Sequence, residues 1–162
     1  MDVISLHDEI CWIFSNLMVD TGSISSIALI IGHTLIIQKA INISMPTPRQ
    51  ALDIVWGISN FTKYCSLKQA KYLVSNQHLL EFFCNILCQI SGKEMILLET
   101  IYRLVELYAD ERDDLISEIE SHCLYDKIDD LSTGSKNPEI SELATKLLDC
   151  FENNSIDLEN AV

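Results

Sequence analysis

At 162 residues and 18.4 kDa, with 48% apolar and 22% charged side chains, the chain suits one compact domain or a short repeat array and is too apolar for disorder. Five glycines and three prolines are too few for a turn-rich β sandwich. A net charge of −13 lacks the basic footprint that nucleic acid requires, and the most apolar run, Ile27 to Ile37, falls short of the roughly 20 residues of a membrane span. The charge is uneven: residues 1–96 carry a net −1 and residues 97–162 a net −12. Such a surface attracts a basic partner, although on charge alone a merely solvated face explains it better. The opening Met-Asp-Val-Ile-Ser has no basic secretory n-region, so Cys11, Cys65, Cys84, Cys88, Cys123 and Cys150 are expected to be reduced thiols of an intracellular protein.

Apolar residues recur at three and four along most of the chain, the period of amphipathic helices. Periodicity and punctuation predict helices over 5–19, 23–31, 34–43, 48–63, 67–75, 78–90, 94–110, 112–121, 124–131 and 138–152. Several starts are marked. Thr47-Pro48-Arg49-Gln50 offers an N-cap Thr, a first-turn Pro and a Gln that can complete a capping box. Ser66 to Gln69 and Ser91 to Glu94 repeat the box pattern, and Asn137-Pro138 is a further cap. Asp110, Glu111, Asp113 and Asp114 crowd a helix start, where the dipole favours them. The tail from Asn153 to Val162 has no period and is expected to be an acidic flexible end.

An internal repeat follows. Glu9, Trp12, Ser15 and Asn16 recur as Asp53, Trp56, Ser59 and Asn60, 44 residues later. A degenerate copy one period on, from Ile96 to Arg103, has Glu99 for the Trp and Arg103 for the Asn. Each interval holds two short helices and one long one. A unit of that size and content predicts an all-α, armadillo-repeat, right-handed superhelical solenoid of about three and a half repeats. The array would occupy 1–152, with a partial repeat at 1–20 and repeats at about 22–64, 66–110 and 111–152. At its N-terminal edge Ile4, Ile10, Ile13 and Leu17 would be open and sticky.

Positions i, i+3 and i+7 share a helix face, so Glu9, Trp12 and Asn16 form one stripe and Asp53, Trp56 and Asn60 another. Leu52, Val55, Ile58 and Ser59, with Ala51 and Thr62, are assigned to the core side. Stacked helices stand about 8–10 Å apart. Two indoles at that spacing make a slot for one long, unbranched side chain. A Lys or Arg stem packs on the rings and its cation gains from the ring quadrupole. Asn16 and Asn60 can each bond a peptide amide and carbonyl, with Ser15 beside them, while Glu9 and Asp53 supply negative charge. The implied ligand is an extended peptide rich in Lys or Arg.

These residues resemble importin-α, the nuclear-import adaptor family. The resemblance rests on Glu9…Trp12-Ile13-Phe14-Ser15-Asn16, Asp53…Trp56-Gly57-Ile58-Ser59-Asn60-Phe61-Thr62, Lys71-Tyr72-Leu73-Val74 and Asp126-Lys127-Ile128, and runs from about residue 5 to 152. It implies armadillo repeats seven to ten. It further implies that Glu9, Trp12, Ser15, Asn16, Asp53, Trp56 and Asn60 belong to the family's minor site for nuclear localisation signals, in a protein of nucleus and cytoplasm. An export receptor and a pore-basket nucleoporin are the partners implied for the last repeats. No Lys/Arg cluster like the family's importin-β-binding segment occurs, and the repeats of the major signal site are not in the sequence. Arg103 and Cys123-Leu124 depart from the family's usual Asn and Gly-Gly, so the turn near His122 is expected to differ.

No chemistry of another kind is indicated. Cys84 and Cys88, among Phe82, Phe83, Ile86 and Leu87, suit small core hydrophobes, and no Cys-x-x-Cys or His pair has ligand spacing. His7, His33, His78 and His122 share no motif, and no Gly-rich phosphate loop occurs. The expectation is a non-enzymatic transport adaptor with no metal or cofactor. Its alternative is a helical-repeat scaffold that has lost cargo binding and acts through its acidic C-terminal repeats.

Overall fold

The computed structural model describes residues 8–9, 11–13, 15–16, 47–76, 79–89, 91–108 and 111–152. All regular structure among them is helical. Helix α1 is seen at 8, 9, 11–13, 15 and 16. There follow α2 (Pro48–Thr62), α3 (Leu67–Asn76), α4 (Leu79–Gln89), α5 (Glu94–Tyr108), α6 (Arg112–Ser121), α7 (Leu124–Gly134) and α8 (Pro138–Glu152). The helices expected over 23–31 and 34–43 lie outside the described residues, as does the tail. None of the described helices is long and apolar enough to cross a membrane.

Local chemistry sets the ends. At α2 the Gln50 amide donates to Thr47 Oγ1 at 3.3 Å and the Thr47 amide donates to Gln50 Oε1 at 3.0 Å, closing the box in both directions. Only half a box forms at Ser66. Its amide and hydroxyl both donate to Gln69 Oε1, at 2.7 and 3.0 Å, while the Gln69 amide goes to the Ser66 carbonyl. The third expected box is absent. Gly92 sits at φ +83, a left-handed conformation that glycine adopts without steric cost, and α5 starts two residues later, at Glu94. At α8 the Glu139 amide donates to Asn137 Oδ1 at 3.0 Å, as the Asn-Pro pair predicts. Helix α7 runs three residues beyond its expected end, where the Ser132 and Thr133 hydroxyls both donate to the Asp129 carbonyl.

The chain divides into two compact units, Met1–Leu79 and Leu80–Val162. In the first, Ala51, Ile54, Val55 and Ile58 of α2 and Ala70 and Leu73 of α3 are wholly buried. In the second, Phe83, Leu97, Leu98, Ile101, Leu104, Leu115, Ile119, Leu124, Ile128 and Leu147 are sealed from solvent. Helix α8 packs on both α7 and α5. The Tyr125 and Phe151 rings meet at 5.9 Å, and Lys146 Nζ stands 4.4 Å above the Tyr102 ring. The Ser141 hydroxyl ties the start of α8 to the Ser132 carbonyl.

The turn between α6 and α7 is unusual. Cys123 holds φ 56 and ψ 18, the one non-glycine at positive φ among the described residues. A left-handed residue with a Cβ costs roughly 1–2 kcal/mol relative to the right-handed helix, which is why glycine usually fills such a place.

Candidate functional site

Helices α1 and α2 are joined by a side-chain bond. Gln50 Nε2 donates to Asp8 Oδ1 at 2.7 Å, so the glutamine that caps α2 also reaches α1. Cys11 and Ser15, one turn apart on α1, are buried, while Glu9, Trp12, Ile13 and Asn16 are exposed. The inward stripe of α1 is therefore 8, 11 and 15, and the indole lies outside it.

Both tryptophans present about half their surface to solvent, 52% for Trp12 and 54% for Trp56. A large apolar ring left this wet in each of two matching stretches of sequence is not core. The residues around them are distributed differently from the expectation. Leu52, assigned to the core side, is exposed. Asn60, assigned to the open stripe, is buried, with its Oδ1 accepting from Lys63 Nζ at 3.0 Å. The outer face of α2 runs Arg49, Leu52, Trp56 and then the C-cap Lys63, spaced by three, four and seven. Those spacings already marked it in the sequence, since two cations and a tryptophan share the register. Asp53 stands at its edge, half-buried.

The polar groups are partly committed. The Ser15 hydroxyl and Asn16 Nδ2 both donate to the Trp12 carbonyl, each at 2.8 Å. Asn16 remains exposed and keeps its Oδ1 clear of that bond. Ser59 is buried. Asp53 Oδ2 is buried and accepts no hydrogen bond. Burial raises the Asp53 carboxyl above its usual range, and Asp8 adds to this, while Arg49 opposes it. Burial, with Asp53 and Asp8 nearby, pushes the Cys11 thiol up to about 11, so it stays protonated. Glu9 is open to solvent.

Three further exposed apolar side chains, Ile13, Tyr64 and Tyr72, belong to the same unit. The two tyrosines were not singled out as site residues. Their signal was their neighbours: Lys63 precedes Tyr64, and Lys71 precedes Tyr72. Among the described residues no three His, Cys, Asp or Glu side chains are grouped so as to hold a metal ion. Set against family models and curated proteins, the chain matches none.

Proposed function

We propose that this protein is a helical-repeat adaptor of importin-α type, an armadillo solenoid that takes extended Lys/Arg-rich peptides of the nuclear-localisation class. The observation that carries the proposal is the pair of half-exposed indoles, Trp12 and Trp56, set in matching sequence 44 residues apart. A Lys or Arg stem stacks on an indole, and the cation–π contact contributes about 0.5–2 kcal/mol. Glu9 and the exposed amide of Asn16 give the peptide a counter-charge and a backbone partner. The role is binding, without catalysis, in nucleus and cytoplasm. The acidic residues of 97–162 fit a basic face on an export receptor.

Trp fluorescence titrated with a Lys-Lys-x-Arg peptide tests this. Binding on the order of tens of micromolar is expected, weakening with salt. Trp56→Ala should lose about tenfold, or about 1–2 kcal/mol. If wild type binds no better than the Trp12→Ala/Trp56→Ala double variant, the adaptor reading fails.

A second reading is favoured by the surroundings of Trp56. Arg49 and Lys63 share its face, and Lys63 already occupies Asn60 Oδ1. Like charges there oppose a cationic peptide. A scaffold that kept the fold and lost the cargo predicts no peptide affinity and capture of partners by the acidic C-terminal residues instead.

A further inference from the structure

The sequence placed Cys84 and Cys88 in the core, and the structure does not. Cys84 is half-buried and Cys88 is exposed on the last turn of α4. Glu81, Asn85 and Cys88, spaced by four and three, make up the outer face of that helix. The two thiols lie one turn apart on the same helix. Lys127 on α7, whose ammonium donates to Asp130 Oδ2 at 3.3 Å, stands within electrostatic reach of both sulfurs, and the exposed Cys123 within reach of Cys84. Two thiols one turn apart, one of them open to solvent, can meet in a disulfide when oxidised, which packing alone does not require.

We infer that Cys88 and Cys84 form a reversible, peroxide-responsive dithiol on the end of α4. In the first step the Cys88 sulfur attacks one oxygen of hydrogen peroxide. An S–O bond forms, the O–O bond breaks, and the departing hydroxide takes the Cys88 proton and leaves as water, giving the sulfenic acid. In the second step the Cys84 sulfur attacks the Cys88 sulfur. The S–S bond forms, the S–O bond breaks, and a second water carries off the Cys84 proton. Two thiols and one peroxide thus yield one disulfide and two waters, with both sulfurs oxidised and the peroxide oxygens reduced.

Position and geometry decide the order and the reversibility. Cys88 meets the oxidant first because it is exposed. Burial pushes the Cys84 thiol up to about 11, so it resists direct attack and serves as the resolving sulfur, faster as pH rises. Helical neighbours four apart hold their Cβ atoms about 5–6 Å from each other, and a disulfide needs about 3.5–4.5 Å. Closure therefore tightens the last turn of α4. The pair lies at the C-terminal end of α4, where a helix gives more readily than in its middle. A strained disulfide with one sulfur exposed is readily reduced, which makes a switch and not a staple.

Peptide mass mapping of the peroxide-treated full chain tests the proposal. Trypsin releases residues 72–93 with Cys84 and Cys88 as their sole cysteines. That peptide should fall by about 2 Da and regain its mass with reduced glutathione. Cys84→Ser should leave Cys88 as a sulfenic acid that dimedone traps, whereas Cys88→Ser should leave the peptide unchanged. Cys123→Ser should oxidise as wild type does. The proposal is overturned if wild-type Cys88 pairs with Cys123, if it runs on to the sulfinic acid without an internal disulfide, or if the disulfide resists glutathione.

Discussion

The two units of the chain solve the problem of their surfaces in opposite ways. Residues 1–79 carry five acidic and five basic side chains, while residues 80–162 carry the entire net charge of −13. Every large apolar side chain exposed among the described residues lies in the first unit: Trp12, Ile13, Leu52, Trp56, Tyr64 and Tyr72. The second unit buries Phe82, Phe83, Tyr108 and Phe151, and covers Tyr102 with Lys146. Carboxylates at a surface need only water. Indoles at a surface lose hydrophobic free energy that a partner can recover. The difference makes the neutral unit the place to look for recognition, while the acidic unit presents a polar surface whose charge acts at longer range.

The sharpest way to break this comparison is to truncate one aromatic ring in each unit. Phe83→Ala removes a fully buried ring and should cost about 3–5 kcal/mol in urea denaturation. Trp56→Ala should cost less than about 1 kcal/mol, because half of the indole is already wet. Equal losses would mean that Trp56 packs as core, and the proposed binding face would go with it. Next in size is Gln50→Ala, which removes the glutamine side-chain half of the α2 capping box and the bond to Asp8 together. A loss of about 1–2 kcal/mol is expected, against about 1 for Thr47→Ala, which leaves the Asp8 bond in place. If the two variants melt alike, the tie between α1 and α2 contributes nothing.

In the acidic unit, Cys123→Gly should stabilise by about 0.5–1 kcal/mol, since glycine relieves the left-handed strain at the cost of a looser unfolded chain. A lower melting temperature would show that the Cys123 side chain matters more than its backbone. The smallest effect belongs to Asp53. Its folded carboxyl keeps its proton to higher pH than the unfolded chain does. The stability this gives is present below the ordinary carboxylate value of about 4 and is lost as pH rises through the raised folded value. Asp53→Asn should therefore stabilise the fold slightly near neutral pH, by less than about 1 kcal/mol, and leave its stability unchanged near pH 3. A gain of equal size at both pH values would point to shape, not charge.

Much of the helical framework was legible because its causes are local. A threonine three residues before a glutamine, an asparagine before a proline and an apolar period of 3.6 act over a few residues. Helices α6 and α8 begin and end where those signals put them. The third capping box failed for an equally local reason, the left-handed Gly92, whose flexibility does not announce which conformation it takes.

What the sequence by itself determined about this protein is the helical class of the described residues, the limits of most of their helices within a few residues, the uneven charge, and two tryptophans that do not belong to a core. What only the tertiary structure decided is the phase of each helix. Leu52 turned outward and Asn60 inward on α2, and Cys88 turned to solvent on α4. Each residue advances a helix by about 100°, so a stripe drawn through one landmark fits two neighbouring faces about equally well. The choice between them is made by what packs alongside. On α2, Ile54, Val55 and Ile58 are buried, and that arc rolls the Asn60 amide under Lys63 and leaves Leu52 beside Trp56 in water.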